Sequence, residues 1–188
     1  MGENKVKRIA IKVLIGFCIL LGLLIAGAVF VVITYFNGRN IRPENVLEYD
    51  GAYYWNEKQC PLGEWTYVET PSGWNYYLYI PKDVDYEKDL ASVPLVVVFH
   101  GQSGKYTSVS RHGRVFKNKE FQEKSGGCAV LVLMSRIDYF TDPHSAARLI
   151  RNVIIKYPCL DKERVVTFGF SQGAMFVVNL AVAEPSLC

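Results

Sequence analysis

Histidine is scarce in this chain of 188 residues: there are three, and none lies beyond His144. Any chemistry that passes a proton through imidazole must draw on His100, His112 or His144. Net charge is missing from most of the chain as well. Residues 1–12 carry Lys5, Lys7, Arg8 and Lys12 against Glu3, or +3, so residues 13–188 hold 17 charges of each sign. No basic face is left for nucleic acid, and none is expected as a partner. The five cysteines lack the spacing of a zinc site, so no metal is expected, and no cofactor is implied. There is no internal repeat and no low-complexity tract, and the length allows one domain at most once the N-terminus is set aside.

Charge is also absent from Val13 to Phe36, which run for 24 residues. As a helix they would extend about 36 Å, against a hydrocarbon core of about 30 Å. A buried core helix and a cleaved signal peptide are the alternatives. Ala26-Gly27-Ala28 resembles a cleavage site, but eight further residues of the same run follow it. The expectation is an uncleaved signal anchor over 13–36, with the lipid bilayer as partner. Four basic residues precede the run, and Arg39 and Arg42 follow it beside Glu44, Glu48 and Asp50. This bias predicts a cytoplasmic N-terminus and an extracytoplasmic domain on the cell membrane. The expected division is a basic tail over 1–12, the anchor over 13–36, a linker over 37–49 and the domain over 50–188. Cys60, Cys128, Cys159 and Cys188 would then lie where disulfides persist. Their three possible pairings stay open, as does the alternative of buried free thiols.

Trp65 to Glu69 and Trp74 to Ile80 read as two strands joined by a turn at Pro71-Ser72-Gly73. The aromatics crowded there, with Tyr53, Tyr54 and Trp55, read as hairpin packing rather than a ligand surface. From Pro94 onward strands and helices alternate. Leu95 to Phe99 and Ala129 to Met134 are short apolar runs of the kind buried on both faces of a parallel sheet. Val115 to Lys124 is a plausible helix. Asp142-Pro143 offers an N-cap and a first-turn proline to a second, with Ala146, Leu149, Ile150, Val153, Ile154 and Tyr157 on one face. Val165 to Phe168 is a third strand and a further helix follows Ser171. The pattern is an α/β domain with a parallel sheet.

Between that third strand and that last helix stands Gly169-Phe170-Ser171-Gln172-Gly173. A serine on a sharp strand-to-helix turn, with glycine two positions to either side, fits a nucleophile elbow. A second informative stretch, His100-Gly101-Gln102-Ser103-Gly104, directly follows the first buried strand. The 69 residues between Gly101 and Ser171 contain two helices and one strand, enough to bring both loops to one sheet edge.

YPCLDKERVVTFGFSQGAM, with LVVVFHGQSG and YYLYIP upstream, resembles the esterases related to feruloyl esterases and polyhydroxybutyrate depolymerases. These are α/β-hydrolases, and the resemblance covers about Trp74 to Ala183. It implies Ser171 as nucleophile, the backbone amides of Gln172 and Gln102 as oxyanion hole, and His100, Gly101, Gly169 and Gly173 as supports of the two turns. It also implies a disulfide from Cys159, for which Cys188 is the available partner. The chain departs from the pattern in Gln172-Gly173-Ala174 and in the absence of a cysteine near Val182. It also lacks the acid and the histidine that the order serine, acid, histidine places well beyond the elbow. His112 and His144 read as solvated, and Asp142 and Asp161 as cap and turn residues.

The fold expected is therefore an α/β-hydrolase-like parallel-sheet sandwich, incomplete at its C-terminus and preceded by one transmembrane helix. The function expected is a membrane-anchored extracytoplasmic serine esterase acting on a small-molecule or polymer-borne ester through Ser171. The alternative is a catalytically inactive hydrolase-like protein, a binding protein or a truncated fragment. Without a base, a serine hydroxyl is a poor nucleophile.

Overall fold

The computed structural model describes residues 3–36, 43–44, 46–47, 59–70, 74–102, 106–134 and 139–187. The chain divides into two compact units, Met1–Asn40 and Ile41–Cys188.

The first unit contains helix α1 (Glu3–Phe36). Its described side chains after Lys12 are residues 14–30, all exposed. Among the described residues no helix is long and apolar enough to cross a membrane. The expected anchor over 13–36, its single-pass topology, the extracytoplasmic placement and the bilayer partnership are corrected accordingly.

The second unit is built on a six-stranded sheet: β1 (Val46–Leu47), β2 (Thr66–Val68), β3 (Asn75–Tyr79), β4 (Val93–Phe99), β5 (Ala129–Met134) and β6 (Leu160–Gly169). The strand order is β1-β2-β3-β5-β4-β6. β1 falls inside the segment expected to be linker. The sheet is mixed rather than parallel. β5, β4 and β6 run parallel, whereas β3 is antiparallel to both β2 and β5. A hairpin partner such as β3 can be buried on both faces, so burial pattern alone does not reveal direction. The β2–β3 hairpin has the expected aromatic packing, with Trp65 stacked on Tyr77 at 5.5 Å and Tyr67 tilted against it at 5.0 Å. The expected turn at 71–73, the residues Tyr53 to Trp55 and most of the 37–49 segment lie outside the described residues.

Alternating side chains of the central strands feed two cores. Leu95, Val97 and Phe99 of β4 join Leu131 and Leu133 of β5 beneath helices α4 (Pro143–Lys156) and α5 (Gln172–Ala183). Val96 and Val98 join Val130 and Val132 beneath α2 (Tyr106–Arg114). This is period-two alternation in a sheet covered on both faces. Helix α4 starts as its sequence predicts: Asp142 caps the Ser145 amide at 3.1 Å, and Pro143 occupies the first turn. Helix α3 (Lys119–Ser125) is shorter than the expected 115–124 and ends at Gly126 in the left-handed conformation.

Cys60, Cys128 and Cys159 are free and buried. The expected disulfide from Cys159 is thereby corrected; Cys188 lies outside the described residues. Burial raises the Cys159 thiol to about 11, so it is held as the protonated, inert form. Cys60 is buried as well, and its sulfur accepts the Tyr157 hydroxyl at 3.0 Å.

Candidate functional site

The chain leaves β4 toward β5 on one side and returns across β4 to β6 on the other. The reversal falls at the carboxyl ends of β4 and β6, where open α/β sheets place their sites. Both motifs singled out in the sequence end there. Phe99 pairs with Gly169 at the ends of the two strands, and the Phe170 amide donates to the Phe99 carbonyl at 3.1 Å. The elbow is thus tied to the loop that begins at His100.

Ser171 sits between β6 and α5 with φ 52 and ψ −118, one of two non-glycine residues of positive φ among those described. An L-residue adopts that conformation at a cost of about 1–3 kcal/mol unless its surroundings enforce it. They do so here. A Cβ on Gly169 would lie 2.3 Å from the Gly173 carbonyl carbon, and one on Gly173 would lie 2.2 Å from the Phe99 carbonyl oxygen. Only glycine at both positions lets the turn close on the strand below it. The serine is exposed at the N-terminus of α5, and its hydroxyl does not cap the helix.

The His100 loop is braced from beneath. His100 is fully buried, and its Nδ1 lies 2.5 Å from the Gly101 carbonyl. That distance makes Nδ1–H the donor. The imidazole also packs against Phe140 at 4.5 Å between ring centres. A Cβ on Gly101 would lie 3.4 Å from that of Ser171, so loop and elbow are in van der Waals contact. Gln102 is exposed next in the chain, and its side-chain amide donates to the Tyr139 hydroxyl at 2.8 Å. Ser103 and Gly104 lie outside the described residues. The Gln172 side-chain carbonyl is buried with no partner among the described residues.

The other two histidines part company. His144 lies 2.7 Å from Glu184, which also holds Arg151 at 2.7 Å. Hydrogen bonds from His144 and then Arg151 lower the Glu184 carboxyl below its ordinary range. Glu184 follows the last turn of α5 and Ser171 precedes the first, so about 18 Å of helix separates them. His144 is exposed, as expected, and hydrogen-bonds the Glu184 carboxylate. His112 is not solvated: it is half-buried on α2 and packs on Phe170 at 5.1 Å. Sequence reasoning saw no structure around it, because Arg111 and Arg114 mask the helical spacing of Val109 and Gly113. Tyr139 was also missed, and no motif marks it. Asp142 acts as the expected helix cap, whereas Asp161, expected in a turn, lies in β6 and pairs locally with Arg164 at 2.6 Å.

Among the described residues, no group of three or more acidic, histidine or cysteine side chains is arranged to hold a metal. None of their side chains hydrogen-bonds the Ser171 hydroxyl.

The fold is a mixed-sheet α/β sandwich with a sharp strand-to-helix turn at Ser171. One solved structure that it resembles is described as the crystal structure of a thermostable esterase, with 23% sequence identity and a TM-score of 0.52. The match covers 66% of this chain and 38% of that one, so the chain spans well under half the length of the esterase. At this identity the likeness is one of fold. No protein-family model matches the chain, and no curated protein matches it.

Proposed function

We propose that this chain is a hydrolase-like protein without catalytic activity of its own, which keeps the nucleophile elbow and lacks the base that would activate it. The unbonded Ser171 hydroxyl carries this reading. A serine of ordinary acidity attacks carbonyl carbon poorly, and activation needs a base within hydrogen-bond reach. His144 is held at the far end of α5, His100 is committed to its own loop, and His112 packs on the Phe170 ring. Ser171, with the backbone amides of Gln172 and Gln102, forms the remnant of an acyl-transfer site. Gly169, Gly173, Gly101 and His100 support its two turns. The esterase likeness bears on the fold from which that remnant comes.

The test is labelling with a fluorophosphonate, which reports an activated serine. The folded chain is expected to resist it, reacting no faster than Ser171→Ala. Stoichiometric labelling lost in Ser171→Ala would overturn the reading.

A further inference from the structure

A groove of about 750 Å³ lies at the amino ends of β4 and β5, the length of β4 (about 20 Å) away from the elbow. Small-molecule sites span about 300–1,000 Å³. The turn after β3 contributes Lys82 and Asp83 to its lining. Helix α3 contributes one face, with Lys119, Gln122, Glu123 and Gly126 at helical spacing. Strands β3, β4 and β5 each have a described neighbour on both sides, so the groove stands apart from the open edge at β6. Helix α3 buries none of its residues, yet Gln122 pins it. The Gln122 side-chain amide donates to the Phe116 carbonyl at 2.7 Å, and its side-chain carbonyl accepts the Cys128 amide at 3.0 Å. That wall is therefore held in place before anything binds.

Its charged groups are of two kinds. Lys88, Lys119, Lys124 and Lys162 each stand 2.7–3.7 Å from a carboxylate. Lys82 and Lys117 pair with no carboxylate among the described residues, and both line the groove. Lys117 instead holds its ammonium 5.2 Å from the centre of the Tyr79 ring, which is also part of the lining. A ring face attracts the charge but leaves the N–H donors free for an anion. Asp83 pairs with no cation among the described residues, and Asp89 gives one oxygen to the Asp85 amide. Two ammonium groups and two carboxylates thus share one space.

We propose that the groove binds the phosphate monoester of a polyhydroxylated molecule, a sugar phosphate by chemical class. The phosphate, with close to two negative charges at neutral pH, lies between Lys82 and Lys117. Hydroxyl groups of the body donate to the Asp83 and Asp89 carboxylates. A bare anion is disfavoured, because the same carboxylates repel it and it fills only a small part of the groove. An organic body carrying hydroxyl donors uses the carboxylates as acceptors and keeps the phosphate at the lysine end.

The test uses the full chain at low salt, in a mild non-ionic detergent that covers the exposed side chains of α1. The phosphate ester of glucose is titrated in, followed by calorimetry and by the amide resonances of Gly126 and Gly127. Saturable binding is expected with a Kd of about 1 mM or tighter, moving both resonances. Lys82→Gln and Lys117→Gln should each weaken it about tenfold, the worth of one charge-assisted hydrogen bond. Lys117→Arg keeps the charge and the ring contact and should bind as wild type does. Lys88→Gln, outside the groove, should also leave binding unchanged. Glucose and inorganic phosphate should each bind at least about tenfold more weakly than the ester. Inorganic phosphate binding as tightly as the ester would overturn the assignment, since the carboxylates would then contribute nothing. Binding that leaves Gly126 and Gly127 unmoved, wild-type affinity in Lys117→Gln, or no binding at all would overturn the site itself.

Discussion

Strands β4 and β6 lie side by side with side chains of one kind, PLVVVF in the first and RVVTFG in the second. Their surroundings differ. β4 has a strand on each side and a helix layer on each face, and it is buried along almost all its length. β6 has a described strand on one side, and every second residue of its C-terminal half is exposed. Composition therefore reports the burial for which a strand is suited, and neighbours decide the burial it receives. The shortfall on β6 measures how much surface the second unit leaves uncovered.

The two strands meet at the elbow, and the largest effect is expected there. Gly173→Ala places a methyl where the Phe99 carbonyl oxygen already stands, 2.2 Å away. Either β4 or the start of α5 has to move. A loss of more than about 4 kcal/mol is expected, a large part of a typical domain's stability. Chemical denaturation should show it as loss of the cooperative transition; a midpoint within error of wild type would mean that β4 does not constrain the elbow.

A paired substitution breaks the comparison along the strands. Val97→Ala in β4 opens a cavity in a fully buried site and should cost about 2–3 kcal/mol. Val166→Ala in β6 removes the same atoms from an exposed position and should change stability by less than about 0.5 kcal/mol. Equal losses in urea titrations would show that β6 is covered in solution.

What the sequence revealed follows the same division. The elbow was legible because glycines at 169 and 173 answer to local backbone crowding, which leaves its mark in adjacent residues. The cap at Asp142-Pro143 and the runs of β4 and β5 were legible for the same reason. The edge position of β6 was not, since nothing within RVVTFG states what lies beside it. The hairpin reading set β3 against β2, but its antiparallel pairing with β5 was hidden because its burial matches that of a parallel strand. The 13–36 run was read from hydropathy as a membrane anchor, a reading that the described part of α1 does not carry. His112 was passed over because its contact with Phe170 joins residues 58 positions apart.

The smallest effect expected is a gain. Ser171 occupies φ 52 with no hydrogen bond from its hydroxyl to the helix it begins. Replacement by glycine relieves the backbone and gives up no cap, so Ser171→Gly should stabilise the chain by about 1 kcal/mol. Ser171→Ala keeps the Cβ and the strain, and should leave stability unchanged. The two substitutions remove the same hydroxyl, so the gap between their urea midpoints isolates the backbone contribution. A gain with glycine alone means that backbone strain is stored at Ser171. Equal midpoints would mean that the turn is relaxed, and that packing against β4 stabilises this conformation without cost.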